Sequence, residues 1–396
     1  MALRYLVPAL AVVGSAAAAC SGTSTISSSA DAAALSTCST FSGDIAIATS
    51  NGDDIALDGI KRITGSLSVR KNNKMSSLSA DSLSQIDDSF EIQDATLLST
   101  LNFPSLTAVD TVSWIGLPQL GSLSFTAGLS QVSSMDIENT VLATLDGINL
   151  VEVDTLIVVN NNFLNDITMQ LGNVSTALTL SANGQDVRAE FPNLEWATNM
   201  TLSNCSSINI QSLATVNGSL GFYSNFMDGI MAPNLTSVGE SLAFVSNEML
   251  TNISAPSLRT VGGGLIVSNN TDLVQINGFP RLQTVGGAVD CNGNFKNVML
   301  PSLQQVKGAF NLQSKRDIGS SCSRFQKLAG SSAPIRGKYT CKSGTANPKG
   351  VDSTRGGGSS TSSGGGSGTS SSPANPMYIS GATGLMGVVA AIFGML

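Results

Sequence analysis

The sequence predicts a mainly β protein. It is read as a right-handed parallel β solenoid of about twelve rungs of ~22 residues, with disulfide-capped ends. Three observations predict this: a segment written repeatedly, apolar side chains alternating at period two within it, and cysteines gathered near both ends.

The repeat is plainest where "APSLRTVGGGLIVSNN" is followed by "FPRLQTVGGAVDCNGN". The apolar residue of "TVGG" serves as an anchor. Anchors fall at Ile63, Ile86, Val109, Val132, Val153, Val174, Ala197, Val216, Val238, Val261, Val285 and Val306. An apolar-x-apolar pair follows four and six residues later, as in Leu67/Val69, Leu178/Leu180, Leu265/Val267 and Val289/Cys291. It comes one residue early in Met135/Ile137, Leu156/Val158 and Met200/Leu202, and the last rung takes Phe310/Leu312. Such a pair points two side chains to one face of a strand. Asn then stands nine residues past the anchor at Asn72, Asn183, Asn225, Asn247, Asn270 and Asn294. The full pattern is close to the leucine-rich repeat, whose units bury their apolar edge only by stacking. An Asn at each turn can bond backbone groups of its own and the next rung, forming a ladder. Gly262, Gly263, Gly286 and Gly287 are expected either to take positive φ at a corner or to press close to the next rung. No 3.6-residue stripe lies between anchors, so the outer wall is expected to be strand, turn or 3₁₀ rather than helix.

Cys20 and Cys38 are 18 apart, Cys322 and Cys341 are 19 apart, and each pair is expected to bridge and cap an end. Cys205 and Cys291 sit four rungs apart, roughly 19 Å at ~4.8 Å per step, beyond the ~7 Å a disulfide spans. They are expected to be free, buried thiols, Cys291 inward and Cys205 in the slot of the ladder Asn.

The organisation expected is a signal peptide over 1–19, an N-terminal cap over 20–62, solenoid repeats over 63–315 and a cysteine cap over 316–345. A Gly/Ser/Thr-rich stalk over 346–376 and an apolar tail over 377–396 complete it. The leader has Arg4, a short apolar run and Ala17-x-Ala19 before Cys20. A bacterial lipoprotein leader also ends before Cys, but prefers Leu where Ala17 stands. The tail is uncharged and has nothing basic after it, which favours a GPI attachment signal over a retained membrane helix. Attachment is placed at Ser370, within the run Ser370–Ser372. N-glycosylation sequons stand at Asn173, Asn199, Asn204, Asn217, Asn234, Asn252 and Asn269.

Charged residues are only 12% of the chain and the net charge is −7, with no basic cluster in the repeats, so nucleic acid is not an expected partner. With no histidine, Ser-His-Asp and Cys-His catalysis are excluded. Carboxylate catalysis is not, and Asp53-Asp54 and Asp87-Asp88 are its obvious pairs, although neighbours on a strand face opposite ways. "VGGGL" lacks the Lys and following helix of a phosphate loop. Trp114 falls on an inward slot, which makes it core rather than a sugar platform. No cofactor, metal ligand set or catalytic residue is expected.

The N-terminal "ACSGTSTISSSADAAALSTCSTFSGDIAIA", the repeated "PxLxTVGGxLxVxNN", the closing "CSRFQKLAGSSAPIRGKYTC" and the Gly/Ser-rich tail resemble the fungal "extracellular mutant" and sporulation-specific family of GPI-anchored wall proteins. The resemblance implies a receptor L-domain-like, leucine-rich repeat glycoprotein. It also implies a route through the secretory pathway to the outer leaflet of the plasma membrane and the cell wall. The expected function is non-enzymatic support of wall organisation and integrity, with the GPI lipid as membrane partner and wall glucan as a further one. The alternative is a cell-surface recognition module that binds a wall glycan or peptide through the solenoid sheet.

Overall fold

The computed structural model describes residues 20–49, 52 and 54–351. The chain divides into two compact units, Met1–Asn149 and Leu150–Leu396. Each is a stack of parallel β coils.

In the first unit the anchor column runs Phe41, Ile63, Ile86, Val109 and Val132, each in register with the next. The column thus starts one turn before Ile63, inside the segment read as a cap. A second column pairs Ile45/Ile47 with Leu67/Val69, then Phe90/Ile92, Val112/Trp114 and Met135/Ile137. All of these side chains are buried. Along the strand Leu129–Thr140, burial recurs at Leu129, Val132 and Met135, then at Ile137 and Thr140. A spacing of two marks a flat face, and a spacing of three marks a corner. Where the gap from anchor to pair is four, as in Gln85–Gln93, the extra residue bulges out of register against Val109 and Thr111. This is the physical origin of the pairs that come one residue early. The back wall is short strands at Ile55–Ala56, Ser77–Ser79, Thr100–Asn102 and Ser122–Ser124, not helix. Between the walls Phe90, Phe103, Trp114 and Phe125 pack with ring centroids 4.8 to 5.8 Å apart.

The N-terminal end closes this stack with a strand, Ser24–Ile26, laid on Ile45–Ile47. A helix, Ser29–Ala34, begins at Ser28, whose hydroxyl accepts from the Asp31 amide. The Cys20–Cys38 disulfide ties the two ends of this cap together.

In the second unit the anchor column is Val153, Val174, Ala197, Val216, Val238, Val261, Val285 and Val306. Ala197 holds its place although it is the smallest member. Short strands again form the back wall, among them Asp166–Thr168, Val187–Glu190 and Cys205–Asn209. At the far end Tyr339–Lys342 pairs with Phe310–Ser314, and the helix Gly319–Gln326 carries Cys322, which bridges to Cys341.

The corner glycines act by close approach and not by positive φ. A Cβ on Gly262 would lie 1.9 Å from the Gly239 carbonyl oxygen, and one on Gly286 would lie 2.0 Å from that of Gly262. Gly263 and Gly287 likewise sit against the backbone of the preceding turn, at 2.9 and 2.8 Å. These atoms are backbone and have no rotamer to yield. Gly262→Ala is therefore expected to force adjacent turns apart and to cost about 2–3 kcal/mol, in the range of core overpacking. Urea denaturation of the secreted protein measures it; a loss below about 0.5 kcal/mol, the range of neutral surface changes, would contradict the contact.

Candidate functional site

The side chains with the densest polar contacts form a buried column at one edge of the second unit. Asn161, Asn183, Cys205, Asn225, Asn247 and Asn270 occupy one slot in successive turns, all buried. Asn225 Nδ2 donates to the Leu202 carbonyl at 2.9 Å and to Asn247 Oδ1 at 2.9 Å. Asn247 repeats this with Phe222 at 3.0 Å and Asn270 Oδ1 at 3.1 Å, and Asn270 reaches the Phe244 carbonyl at 2.8 Å. Each Oδ1 also takes the backbone N–H of the column member one turn earlier, Asn225 to Asn247 at 3.0 Å and Asn247 to Asn270 at 2.9 Å.

The residue before each member is left-handed: Asn160, Ala182, Asn204, Ser224, Ser246 and Asn269 have φ between 50 and 60°. Such a conformation costs non-glycine residues about 1–2 kcal/mol each. The side-chain bonds of the next residue offset it, because a buried amide left unpaired would cost more.

The column differs from the expected ladder at two places. Asn294 stays half-buried at the end of the column, donating to the Thr271 carbonyl at 3.2 Å and accepting from Arg316 Nε at 2.9 Å. Asn161 joins the column eight residues after its anchor rather than nine, because its turn lacks the bulge; the early pair Leu156/Val158 carried that signal. In the first unit Asn72 alone keeps the pattern, donating to the Ala48 carbonyl and accepting from the Lys74 and Met75 amides at 3.0 Å.

Cys205 substitutes for Asn in the column: its amide donates to Asn225 Oδ1 at 2.9 Å and its thiol lies 3.6 Å from the Ser203 carbonyl oxygen. Cys291 is inward, between Val267 and Leu312. Both are unbridged and buried. Burial pushes the Cys205 thiol up to about 12 and raises Cys291 as well, the latter with help from the Asp290 charge. Buried and disfavoured as thiolates, both sit as packing groups rather than as exposed, reactive cysteines. Native protein is expected to resist iodoacetamide at both positions and to react at both after unfolding. Rapid native labelling of either would contradict their placement.

Asp54 Oδ1 accepts from the Ser76 hydroxyl at 2.7 Å and the Ser77 amide at 2.9 Å; Asp53 lies outside the described residues. Asp87 pairs with Arg62 at 2.7 Å, and Asp88 accepts from the Ser66 hydroxyl at 2.9 Å. These carboxylates join neighbouring turns. The carboxyl pair that stands out was not singled out in the sequence: Asp136 and Glu138, flanked by inward Met135 and Ile137, share the outward face of one strand. The signal was the period-two spacing. Burial, then the Glu138 charge, pushes Asp136 up to about 7, and Glu138 is raised by its own burial. Asp136 Oδ1 is buried without a hydrogen-bond partner among the described residues.

A further polar cluster covers the last turns of the second unit. Asn311 Nδ2 donates to Asp290 Oδ1 and to the Lys349 carbonyl, both at 2.8 Å. Gln313 Oε1 accepts from the Lys349 amide at 3.1 Å, and Asp290 Oδ2 accepts from the Val351 amide at 2.9 Å. The segment around Lys349 and Val351 is thus strapped across the sheet face. Beside it a cavity of about 420 Å³ opens between the turns at Ser246, Asn269 and Asn294 and the residues Ala346–Pro348.

Of the sequon asparagines, Asn199, Asn217, Asn234, Asn252 and Asn269 are exposed, while Asn173 and Asn204 are half-buried. Trp114 is fully buried. The leader over 1–19, Ser370 and the tail over 377–396 lie outside the described residues. No group of His, Cys, Asp and Glu able to hold a metal ion occurs among the described residues.

Parallel coils ended by disulfides, with carboxylates bonded between turns, define a leucine-rich-repeat-like solenoid protein. The family model described as Ecm33, GPI-anchored cell wall organization protein, matches residues 1–36. A "Cell surface GPI-anchored protein" of Arthroderma benhamiae is 43% identical over 95% of this chain and 97% of its own. "Protein ecm33" of Aspergillus fumigatus is 40% identical over 89% of each chain. "Sporulation-specific protein 2" of Saccharomyces cerevisiae is 31% identical over 76% of this chain and 60% of its own. A solved leucine-rich repeat protein from Bacteroides ovatus, 12% identical, covers 61% of this chain and 80% of that one; its TM-score of 0.29 carries no argument. The chain belongs to the fungal family of GPI-anchored cell-wall organization proteins. Its place is the cell surface and the wall, and its role lies in cell-wall organisation.

Proposed function

We propose that the chain supports the wall without catalysis, as a stiff glycosylated body held by a lipid-anchored stalk. The observation that carries this is the 43% identity, along 95% of the chain, with a protein named for its GPI anchor. In this reading the leader over 1–19 is removed, and the cap, repeats and cysteine cap over 20–345 form the body. The stalk over 346–376 receives the lipid near Ser370 once 377–396 is cut away. The sequons carry N-glycans.

The carboxyl geometry supports the non-catalytic part. Asp54, Asp87 and Asp88 are tied to Ser and Arg partners of neighbouring turns, which spends them on holding the stack together. The partners in this reading are the outer leaflet, reached through the GPI lipid, and wall glucan, to which part of the population is transferred.

Fractionation of intact cells tests this. A phosphatidylinositol-specific phospholipase is expected to release one pool from membranes, and β-glucanase a second from washed walls. Protein freely soluble in the medium, with neither pool present, would overturn the tethered reading.

A further inference from the structure

The cavity beside the strap is lined mainly by polar groups, and its volume of about 420 Å³ falls within the about 300–1,000 Å³ usual for small-ligand sites. One lining residue, Asn269, begins a sequon whose third residue, Thr271, also lines the cavity. The Thr271 hydroxyl is fixed on the Glu248 carbonyl at 3.0 Å. A sugar on Asn269 Nδ2 would start one bond from this wall.

The other exposed sequons differ. Asn199 uses its amide on the Ser219 N–H at 3.0 Å and the Thr176 carbonyl at 3.4 Å, and Asn234 Nδ2 donates to the Gln211 carbonyl at 2.9 Å. Asn217, Asn252 and Asn269 make no side-chain hydrogen bond among the described residues. Of these three, Asn269 lines the cavity. It is also held left-handed, at φ 56°, by the ladder that fixes Asn270 behind it.

We propose that this cavity is the seat of the Asn269 glycan, holding its first N-acetylglucosamine against the body. The lining suits that sugar. Glu248 offers an acceptor and Lys315 a donor for ring hydroxyls, and Ala346 and Pro348 offer an apolar wall for the acetyl methyl. The strap that supplies this wall is itself clamped by Asp290, Asn311 and Gln313. The glycan thereby bridges the last turns of the body and the root of the stalk. This rests on the reading that the sequons carry N-glycans.

The test uses the full chain from a fungal host. It is digested with endoglycosidase H in native and in denatured form, and release is followed site by site by glycopeptide mass spectrometry. Asn217 and Asn252 are the internal references. Asn269 is expected to be occupied and to lose its glycan at least tenfold more slowly than the references in the native protein, with the ratio returning to one after denaturation. The surface variants Glu248→Ala and Lys315→Ala are expected to move the native ratio toward one. An occupied Asn269 released as fast as the references overturns the seat while leaving glycosylation standing, and so does an empty Asn269 beside filled references. Three empty sequons overturn the underlying reading as well.

Discussion

Asn247→Ala is expected to lower stability by about 3–5 kcal/mol, an effect large enough to unfold the turns around it. Asn247 is fully buried, and its amide receives the Asn225 N–H and Nδ2 and supplies the Phe222 carbonyl and Asn270 Oδ1. Alanine leaves the Asn225 amide and the Phe222 carbonyl buried without partners, at about 1–3 kcal/mol each. It also removes the support for Ser246, held at φ 56°. Asn294→Ala, at the half-buried end of the same column, is expected to cost only about 1 kcal/mol, the net worth of an ordinary hydrogen bond. Urea transitions of the two secreted variants give the comparison. Equal losses would show that the column does not hold the turns together.

Asp136→Asn is expected to stabilise the protein at pH 8 by about 3 kcal/mol and to leave it unchanged near pH 4. Burial, with Glu138 second, raises Asp136 from 3.8 to about 7 in the folded chain. Between those values the folded state binds more protons than the unfolded one, so stability falls as pH rises through that window. Each tenfold change in proton affinity is worth about 1.36 kcal/mol, which sets a ceiling of about 4 kcal/mol. Solvent reaches part of this half-buried carboxyl and screens it, which brings the effect below the ceiling. Ser113 and Ile115 on the neighbouring strand supply no countercharge to Asp136 and Glu138. Asparagine keeps the shape and cannot ionise, so the variant loses this part of the pH dependence. Unfolding midpoints at pH 4 and pH 8 measure it; a variant no more stable than the parent at pH 8 would contradict the burial of this carboxyl.

The stack was legible because its cause is local. Leu265/Val267 had only one face to bury, and period two fixes that face; Phe310/Leu312, four and six residues after Val306, fall in the same register. Cys205 and Cys291 were placed by counting turns, and the structure leaves them unbridged.

What escaped depends on neighbouring turns or on distant chain. The left-handed column holds Ala182, Ser224 and Ser246, none of which advertises positive φ, because the bond that stabilises it comes from the next residue. For Gly262 the sequence left positive φ and close approach open, and only the neighbouring turn, whose carbonyl oxygen would lie 1.9 Å from an added Cβ, decides for close approach. Asn161 was missed because a missing bulge moves its slot by one. The bond from Val351 to Asp290 spans 61 residues and leaves no period to read.

Complementation most directly tests the central claim, that an inert tethered body does the work. In a cell lacking the protein, a chain with Asp54, Asp87, Asp88, Asp136 and Glu138 all changed to their amides is compared with one ending at residue 376. Resistance to wall-binding dyes is read with protein level as control. The amide chain is expected to restore it and the shortened chain to fail. A folded, surface-displayed amide chain that fails, or a shortened, secreted chain that succeeds, would contradict the account.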